Sequence, residues 1–267
     1  MRVLLTGGTG RLGRALVRTT VSARHTVRVL SRRAQAASDG VEPSVGDIAS
    51  GAGLDAALEG VDAVIHAASD PRRPDEVDVG GTGRLVEAAG AAGVGHLVYV
   101  SIVGVDRIPV QYYRRKLEAE RIVAASRLPY TVLRATQFHT FVAWLISQAA
   151  RVPLLLPLPS GFKFQPVDEA EVAARLVRCL ADGPRGRTED FGGPEVLPLE
   201  VLAASWMEAA GVRKKMLPLP LPGAAARAFR VGANTTPDGE RGSVSWREWV
   251  ARNVGESRDR AGRQLVG

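Results

Sequence analysis

The chain has 267 residues, of which 45% are hydrophobic and 24% charged, as is usual for a globular protein. This length suits one large domain or a main domain with a smaller lobe. The sequence has no apolar run of about 18 residues, so a membrane span is not predicted. The net charge of +7 comes from scattered arginines without a dense basic helix face, which argues against nucleic acid as a partner.

Two further features bear on the compartment. The sequence begins with an apolar strand pattern rather than with a secretion signal, and Cys179 is its one cysteine. Neither a disulfide nor export is therefore expected, and we predict a protein of the reducing cytoplasm.

The N-terminal stretch combines a strand, a glycine-rich loop and the start of a helix. Residues 2–5 are apolar, residues 6–13 read Thr-Gly-Gly-Thr-Gly-Arg-Leu-Gly, and a helix pattern begins at 14. Glycines permit the tight turn and the close approach of backbone amides, and the helix N-terminus contributes partial positive charge. The alternative is an ordinary loop, but the elements on both sides favour a dinucleotide pyrophosphate site. The predicted contacts are Gly7, Thr9, Gly10, Arg11 and Leu12.

The end of the second strand predicts the cofactor type. A site for NAD usually has an acidic residue here that accepts from the ribose hydroxyls, and positions 30–33 contain none. Ser31, Arg32 and Arg33 suit a 2′-phosphate instead, through charge-assisted hydrogen bonds. We therefore expect NADP(H) to be preferred over NAD(H). The alternative is that both arginines form a solvated helix start.

Apolar runs that alternate with helical patterns predict a parallel sheet. The runs span 26–31, 41–45, 63–69 and 96–101, and the segments between them imply right-handed crossovers in a doubly wound α/β fold. A charged stretch with two prolines at 70–78 predicts a loop. Ligands bind beyond the carboxyl ends of parallel strands. The candidate cofactor contacts there are Asp47, Ile48, Ala67, Ala68 and Ser69.

Two polar residues near these strand ends have other interpretations. Asp47 or Ser50 is an equally good helix cap. His66, within an apolar strand, is predicted to be a packing histidine.

Tyr112 and Lys116 are the candidates for proton transfer. A helix after the fifth strand places them on one face at a spacing of four residues. A lysine ammonium near a phenol is expected to lower the pKa of that phenol, and the tyrosine then donates a proton as hydride arrives. Ser101, at the end of the fifth strand, is the candidate for assisting them. The alternatives are packing of Tyr112 on the sheet edge and pairing of Lys116 with Glu120.

With these motifs the chain resembles an atypical short-chain dehydrogenase/reductase of the NmrA-like, NAD(P)H-binding subgroup. The resemblance covers about residues 1–200. It depends on the glycine loop at 6–13, Ser31-Arg32-Arg33, Gly46-Asp47, His66-Ala67-Ala68, Tyr-x-x-x-Lys at 112–116 and Leu-Arg-Ala-Thr-Gln-Phe at 133–138, with Pro166-Val167-Asp168 and Glu171-Val172-Ala173 as further typical segments.

The resemblance implies a domain organisation and further site residues. We expect a Rossmann domain over 1–150 and a substrate lobe over 151–255, with about 166–195 packing back on the Rossmann domain and a loosely ordered tail at 256–267. Lys116 is expected to bind the nicotinamide ribose. The further cofactor contacts are Val100, Ala135, Thr136, Gln137 and Phe138. Tyr113, His139 and Trp144 are the candidate substrate contacts.

The leading hypothesis is an NADPH-dependent reductase that transfers hydride to a small aromatic carbonyl or quinone-like substrate. No His/Cys/Asp cluster has the spacing of a metal site, and a monomer or homodimer is expected. One alternative is a non-catalytic NADP(H)-binding redox sensor or regulatory protein of the NmrA type. Another is an assembly protein that keeps the cofactor for stability.

Overall fold

The computed structural model describes residues 1–255, and the tail predicted at 256–267 lies outside the described residues. The strands are β1 (Arg2–Thr6), β2 (Thr26–Ser31), β3 (Val41–Val45), β4 (Ala63–His66), β5 (His96–Ile102), β6 (Tyr130–Ala135), β7 (Leu155–Pro159), β8 (Lys163–Phe164), β9 (Gly186–Arg187), β10 (Phe191–Gly192), β11 (Leu197–Pro198), β12 (Lys215–Leu219) and β13 (Glu240–Arg241).

The α-helices lie between these strands and after the last of them. They are α1 (Arg11–Ser22), α2 (Leu54–Leu58), α3 (Gly81–Ala91), α4 (Gln111–Ala125), α5 (His139–Ala149), α6 (Glu169–Asp182), α7 (Leu199–Ala210), α8 (Ala224–Arg230) and α9 (Trp246–Val250). The segments Asp75–Gly80 and Ala251–Gly255 are π-helical.

The largest difference from the predicted elements concerns the segment at 70–78. We predicted a loop there, which is wrong for its second half, because Asp75–Gly80 is helical and leads directly into α3. Pro74 already has helical backbone angles, with φ −68° and ψ −29°. Proline is well tolerated at the start of a helix, where its missing N–H has no partner to lose. The change matters because Asp78 becomes a helical residue with a buried side chain.

The chain divides into two compact units. The first consists of Met1–Asp106, Val110–Ala135 and Glu169–Glu189, and the second contains Arg107–Pro109, Thr136–Asp168 and the residues from Asp190 onward. Helix α5, which the predicted boundary at 150 assigned to the Rossmann domain, is part of the second unit. Helix α6, in the segment predicted to return, is part of the first.

The first unit contains a parallel sheet with strands in the order β3-β2-β1-β4-β5-β6, and β9 pairs with β6. The strand order reverses at β1, where Thr6 pairs with Leu30 on one side and with His66 on the other. Strand β4 is buried along its whole length, as expected for a central strand covered on both faces. The predicted doubly wound α/β fold is confirmed.

Helices α3 and α4 cover one face of this sheet. Leu85 and Ala89 of α3 and Ala119 and Val123 of α4 belong to one apolar cluster with sheet residues such as Leu97. Helix α1 packs against α6 within the same unit. The layer of α3 and α4 also buries charged side chains near the carboxyl ends of β4 and β5, and these are central to the candidate site.

The second unit has its own small sheets and core. Strands β7 and β12 pair in parallel, β8 and β11 antiparallel, and β10 and β13 in parallel. Its apolar cluster includes Leu156, Leu202, Trp246 and Trp249. Among the described residues, no helix has both the length and the apolar composition needed to cross a bilayer.

Candidate functional site

The glycine loop closes tightly against the segment that follows β4. Gly10 donates its backbone N–H to the carbonyl oxygen of Gly7 over 3.0 Å, and Gly7 has φ +74°. A Cβ atom on Gly7 would lie 2.6 Å from the carbonyl oxygen of Ala67, and one on Gly13 would overlap the backbone of Gly7 and Gly8. Helix α1 then begins with Gly10 as its N-cap. The loop therefore closes tightly beyond β1 and leads straight into the N-terminus of α1, which is the layout of a pyrophosphate site.

A cavity of about 240 Å³ opens at the carboxyl ends of β1, β2 and β4. The predicted cofactor residues that line it are Gly7, Thr9, Gly10, Ser31, Arg32, Asp47, Ile48, Ala67, Ala68 and Ser69. Its lining also includes residues that we did not predict, among them Thr6, Asp70, Arg73 and Val77. Arg11, Leu12, Arg33, Val100 and Lys116 are not in this lining.

The polar side chains at the β2 and β3 ends of the cavity differ in whether they already bind other groups of the protein. The Ser31 hydroxyl donates to the carbonyl oxygen of Arg33. The Asp47 carboxylate accepts from the backbone N–H of Ala49 over 2.9 Å, so it closes a turn while lining the cavity. Arg32 is exposed and makes no ion pair within residues 1–255. Its guanidinium is the cation at this end that can meet a 2′-phosphate.

At the β4 end of the cavity, Tyr112 is hydrogen-bonded to Ser69. Tyr112, on α4, is half-buried, and its hydroxyl lies 2.7 Å from Ser69 Oγ. Ser69 in turn donates to Asp78 Oδ1 over 2.6 Å. Because Ser69 has one hydroxyl proton and gives it to Asp78, Tyr112 must be the donor in its own bond with Ser69. The structure thus brings together one predicted catalytic residue, one predicted cofactor contact and one residue that we missed.

Lys116 lies one turn further along α4 and is directed inward. It is 3% exposed, and its Nζ donates to the carbonyl oxygen of Val100 over 3.1 Å. The same atom lies 3.7 Å from Asp78 Oδ1 and 4.3 Å from the centre of the Tyr99 ring. The described contacts of Lys116 all lie within the first unit, and its contact with the nicotinamide ribose stays a prediction.

The expected pKa shift of Tyr112 is wrong in sign. Burial and then the negative charge of Asp78 raise the pKa of Tyr112, and the hydrogen bond with Ser69 opposes them. Burial also raises the pKa of Tyr113 to about 12. Burial lowers the pKa of Lys116, although Asp78 partly offsets that effect. Tyr112 therefore remains a phenol, because burial and the nearby Asp78 carboxylate both disfavour the phenolate.

His66 fits the predicted packing role and also links the glycine loop to this cluster. Its ring is fully buried, with Nδ1 2.7 Å from Thr6 Oγ1 and Nε2 2.9 Å from Thr82 Oγ1. Thr82 Oγ1 donates to the Asp78 carbonyl oxygen, so it accepts from His66 Nε2–H. Burial and then Lys116 lower the pKa of His66 to about 3, which keeps the ring neutral.

Ser101 is not brought to the cavity. It is 3% exposed within β5, and its hydroxyl makes no hydrogen bond to the described part of the chain. It shares a sheet face with Tyr99, since side chains alternate along a strand. The polar group that contacts Tyr112 is therefore Ser69, from the adjacent strand end, rather than Ser101.

The remaining predicted residues lie in the second unit, apart from Tyr113 on α4 and Ala135 at the end of β6. Thr136 donates to the carbonyl oxygen of Gln165 over 2.6 Å, and the Gln137 amide exchanges hydrogen bonds with Asn234. Phe138 is half-buried at the start of α5. The side chains of Thr136 and Gln137 are thus already engaged inside the unit.

The predicted substrate residues have very different exposures. His139 is fully buried, and its ring centre lies 5.8 Å from that of Trp246 and 5.4 Å from that of Trp249. This position is that of a packing residue, so a substrate contact by His139 is not supported. Trp144 is 52% exposed and stacks on Phe141 with a centroid distance of 6.1 Å. Tyr113 is half-buried and makes an edge contact with Tyr112.

Asp78 is the buried acid of the site that we did not predict. Its carboxylate is 1% exposed and accepts from Ser69 and, over 3.1 Å, from the backbone N–H of Asp70. A local signal was available, because Asp78 lies four residues before Thr82 in a stretch that becomes helical. Without the helix assignment it resembled the other solvated acids of that segment.

A family model described as NAD(P)H-binding matches residues 7–183. The chain belongs to the NAD(P)H-binding family. Within this family, (4-alkanoyl-5-oxo-2,5-dihydrofuran-3-yl)methyl phosphate reductase from Streptomyces griseus subsp. griseus is 34% identical to the chain over 204 residues, covering 73% of the chain and 69% of the relative. NAD(P)H azoreductase from Xenophilus azovorans is 31% identical over 217 residues, covering 78% of the chain and 74% of the azoreductase.

Other similar proteins extend the comparison in two directions. Photosystem II assembly factor Ycf39 from Synechocystis sp. is 37% identical over 164 residues, but the match covers 58% of this chain and 49% of that factor. The structure of an NADPH-dependent quinone oxidoreductase from Escherichia coli, solved with NADPH, superposes with a TM-score of 0.79 at 20% identity, over 94% of this chain and 99% of that one. This structure shows a shared fold.

Together these findings make the protein an NAD(P)H-dependent oxidoreductase of the NAD(P)H-binding family. The glycine loop fits such a cofactor, because Gly7, Thr9 and Gly10 line the cavity and the N-terminus of α1 follows them directly.

Proposed function

We propose that the protein is an NADPH-dependent reductase that adds a hydride and a proton to a small conjugated acceptor, such as an aromatic carbonyl compound or a quinone. The observation that carries the proposal is the cavity at the carboxyl ends of β1 and β4, which has Arg32 at one end. At the other end its lining includes Ser69, whose hydroxyl is bonded to Tyr112. One continuous surface thus has a cation for a nucleotide phosphate at one end and a proton donor beside the other.

Different residues around the cavity contact different parts of NADPH in this proposal. Gly7, Thr9 and Gly10 offer the loop backbone to the pyrophosphate, and α1 begins directly behind them. Arg32 meets the 2′-phosphate, and this contact is the reason to expect NADPH rather than NADH. Ala67 and Ala68 have small side chains, which leave room for the cofactor to lie close to the end of β4.

A conjugated acceptor suits the proton chemistry of this site. Bound NADPH supplies the hydride. Addition of hydride to a quinone or a conjugated carbonyl compound leaves a delocalised anion, which needs a nearby proton donor more than strong activation of the carbonyl. Tyr112 has a pKa above its ordinary value and stays protonated, so it holds a proton for that anion.

The relatives support this substrate class. One is named for a phosphorylated oxo-dihydrofuran and another for azo compounds. An unsaturated ring carbonyl compound and an azo compound are both acceptors of hydride into a conjugated system. We propose that this protein also transfers hydride into a conjugated system, and we include quinones and aromatic carbonyl compounds among its acceptors.

The test follows NADPH absorbance with a panel of naphthoquinones, aromatic ketones and azo dyes. We expect oxidation of NADPH with at least one class and a much lower rate with Tyr112→Phe at saturating NADPH, by about a hundredfold. Tyr130→Phe, which removes a tyrosine hydroxyl from β6, is the matched control and keeps the rate. Equal rates for both variants would contradict the role of Tyr112 as proton donor.

A second candidate function is a redox sensor that binds NADP(H) without turnover. It is favoured by the inward position of Lys116 and by the 37% identity with an assembly factor, a protein not named as an enzyme. Tight NADPH binding without oxidation by any acceptor would select this alternative.

A further inference from the structure

Four polar groups form a continuous chain from the cavity into the core of the first unit. The Tyr112 hydroxyl is 2.7 Å from Ser69 Oγ, Ser69 Oγ is 2.6 Å from Asp78 Oδ1, and Asp78 Oδ1 is 3.7 Å from Lys116 Nζ. Ser69 lines the cavity and Tyr112, bonded to it, is half-buried, whereas the Asp78 and Lys116 side chains are 0% and 4% exposed. The Tyr112 and Ser69 end of the chain is therefore the end that a substrate can reach.

The inner end of the chain is held in place from several sides. Asp78 Oδ2 accepts from the backbone N–H of Asp70, so Oδ1 remains for Ser69 and Lys116. Lys116 is anchored by the carbonyl oxygen of Val100 and by the face of the Tyr99 ring. The ammonium of Lys116 is already bound by these groups without a link to half-buried Tyr112, and an isolated buried ion pair is a weak source of stability.

We propose that Ser69, Asp78 and Lys116 act as positioning residues that replace the proton given up by Tyr112, with Lys116 as the proton reservoir. This inference rests on the proposed function and deepens it. It differs from the arrangement expected from sequence, in which the lysine acts directly on the tyrosine and on the cofactor ribose. Here the lysine reaches Tyr112 only through a carboxylate and a hydroxyl group.

The proton balance of the step is complete. The hydroxyl groups of Tyr112 and Ser69 first rotate, so that Tyr112 donates to the reduced acceptor and Ser69 donates to the tyrosine oxygen. The O–H bond of Tyr112 then breaks as the new bond between hydrogen and the reduced acceptor forms, and Ser69 passes its hydroxyl proton to the tyrosine oxygen. Ser69 regains a proton from Lys116 through Asp78, which is a carboxylate before and after. Lys116 ends neutral, and both electrons come with the hydride of NADPH. Solvent returns the proton along the same chain after product leaves.

Two physical features favour this direction of transfer. Burial lowers the pKa of Lys116, so its neutral form costs less here than in water. The oxygen atoms of neighbouring groups lie 2.6 and 2.7 Å apart, so the same pairs stay within hydrogen-bond distance once the two hydroxyl groups have rotated. The link between Lys116 and Asp78 must shorten by on the order of 1 Å, which a flexible lysine side chain allows.

The experiment compares Ser69→Ala, Ser69→Thr and Asp78→Asn in the full chain. Ser69→Ala breaks the chain while Tyr112 remains, Ser69→Thr restores the hydroxyl, and Asp78→Asn removes the charge with little change of shape. Ser126→Ala, which removes a hydroxyl bonded to the carbonyl oxygen of Val123, and Asp55→Asn, on the exposed face of α2, are the matched controls.

Two measurements separate a relay from a merely structural role. The first is the single-turnover rate of NADPH oxidation by a naphthoquinone at saturating NADPH, in H₂O and in D₂O. We expect Ser69→Ala and Asp78→Asn to slow the step about a hundredfold and to change its solvent isotope effect, and Ser69→Thr to recover most of the rate. The second needs no cofactor. It is the infrared C–O stretching band of Tyr112, assigned by difference with Tyr112→Phe, which should shift in Ser69→Ala and return in Ser69→Thr.

The outcomes are distinguishable. Wild-type rate and isotope effect in Ser69→Ala overturn the relay, as does an unshifted Tyr112 band. Loss of rate in Ser69→Ala that Ser69→Thr does not recover also overturns it. If Asp78→Asn does not fold, the two Ser69 variants still test whether the relay operates. If the wild-type protein oxidises no NADPH with any acceptor, the proposed function fails, while the infrared band still tests the hydrogen-bond chain.

Discussion

Gly7→Ala tests the contact between the glycine loop and the segment after β4. Gly7 has φ +74°, and its added Cβ would lie 2.6 Å from the Ala67 carbonyl oxygen and 2.7 Å from the Ala68 nitrogen. Ordinary contact begins at about 3.4 Å, so the two segments must separate by about 0.8 Å. The neighbouring atoms are backbone atoms, so no side-chain rotation relieves the overlap.

The magnitude follows from two costs. The left-handed backbone costs a non-glycine residue about 1 kcal/mol, and the forced shift of a packed segment costs about 1–3 kcal/mol. We expect the free energy of unfolding to fall by about 2–4 kcal/mol. Because Ala67 and Ala68 line the cavity opposite the loop, the same shift should weaken NADPH binding about tenfold or more, or about 1.4 kcal/mol.

Urea denaturation followed by circular dichroism measures the first effect, and titration of NADPH fluorescence measures the second. Gly83→Ala, on α3, is the matched control, since a Cβ there meets nothing within 4 Å. It should raise stability by about 0.5–1 kcal/mol, because alanine favours a helix interior. Wild-type stability and NADPH affinity in Gly7→Ala would refute the close approach described here.

Three further predictions concern single side chains. Arg32→Ala should raise the Kd for NADPH about tenfold and leave the Kd for NADH nearly unchanged. If titrations show equal effects on both cofactors, Arg32 does not contact the 2′-phosphate. The pKa of His66 is lowered to about 3, so the unfolded chain takes up a proton first as pH falls. Stability in urea should therefore decrease from about pH 6.5 downward by up to about 1.4 kcal/mol per pH unit, and His66→Gln should flatten this slope. Glu120→Gln should lower stability by about 3 kcal/mol, because it leaves buried Arg134 without the carboxylate that lies 2.7 Å away. Asp106→Asn, whose side chain is 41% exposed, should cost less than about 1 kcal/mol in the same urea assay.

The sheet and the glycine loop were predictable because their signals are local. Strand β2 has the predicted bounds Thr26–Ser31, since its apolar run is bounded on both sides. The turn at Gly7 and the helix that begins at Arg11 follow from neighbouring residues. The helical segment Asp75–Gly80 was not predicted, because charges and prolines also occur where a helix begins.

The candidate site was predictable only in part. Tyr112 and Lys116 share α4 as expected, but four residues on a helix do not decide which groups each side chain meets. Lys116 turns to Asp78 and Val100, and Tyr112 turns to Ser69. His139 was predicted as a substrate contact, and its enclosure by two tryptophans more than 100 residues further along the chain was not expected.

Residue order alone was enough to establish where the nucleotide loop lies, which strands alternate with helices, and that an acid is missing after β2. Each of these depends on near neighbours or on a repeating period, which the linear chain records directly. The partners of Ser69, Asp78 and Lys116 emerged only on folding, because α4 and the segment before α3 meet at the ends of β4 and β5. Hydrogen-bond partners are set by distances of about 3 Å between elements far apart in the chain, and no spacing rule encodes them.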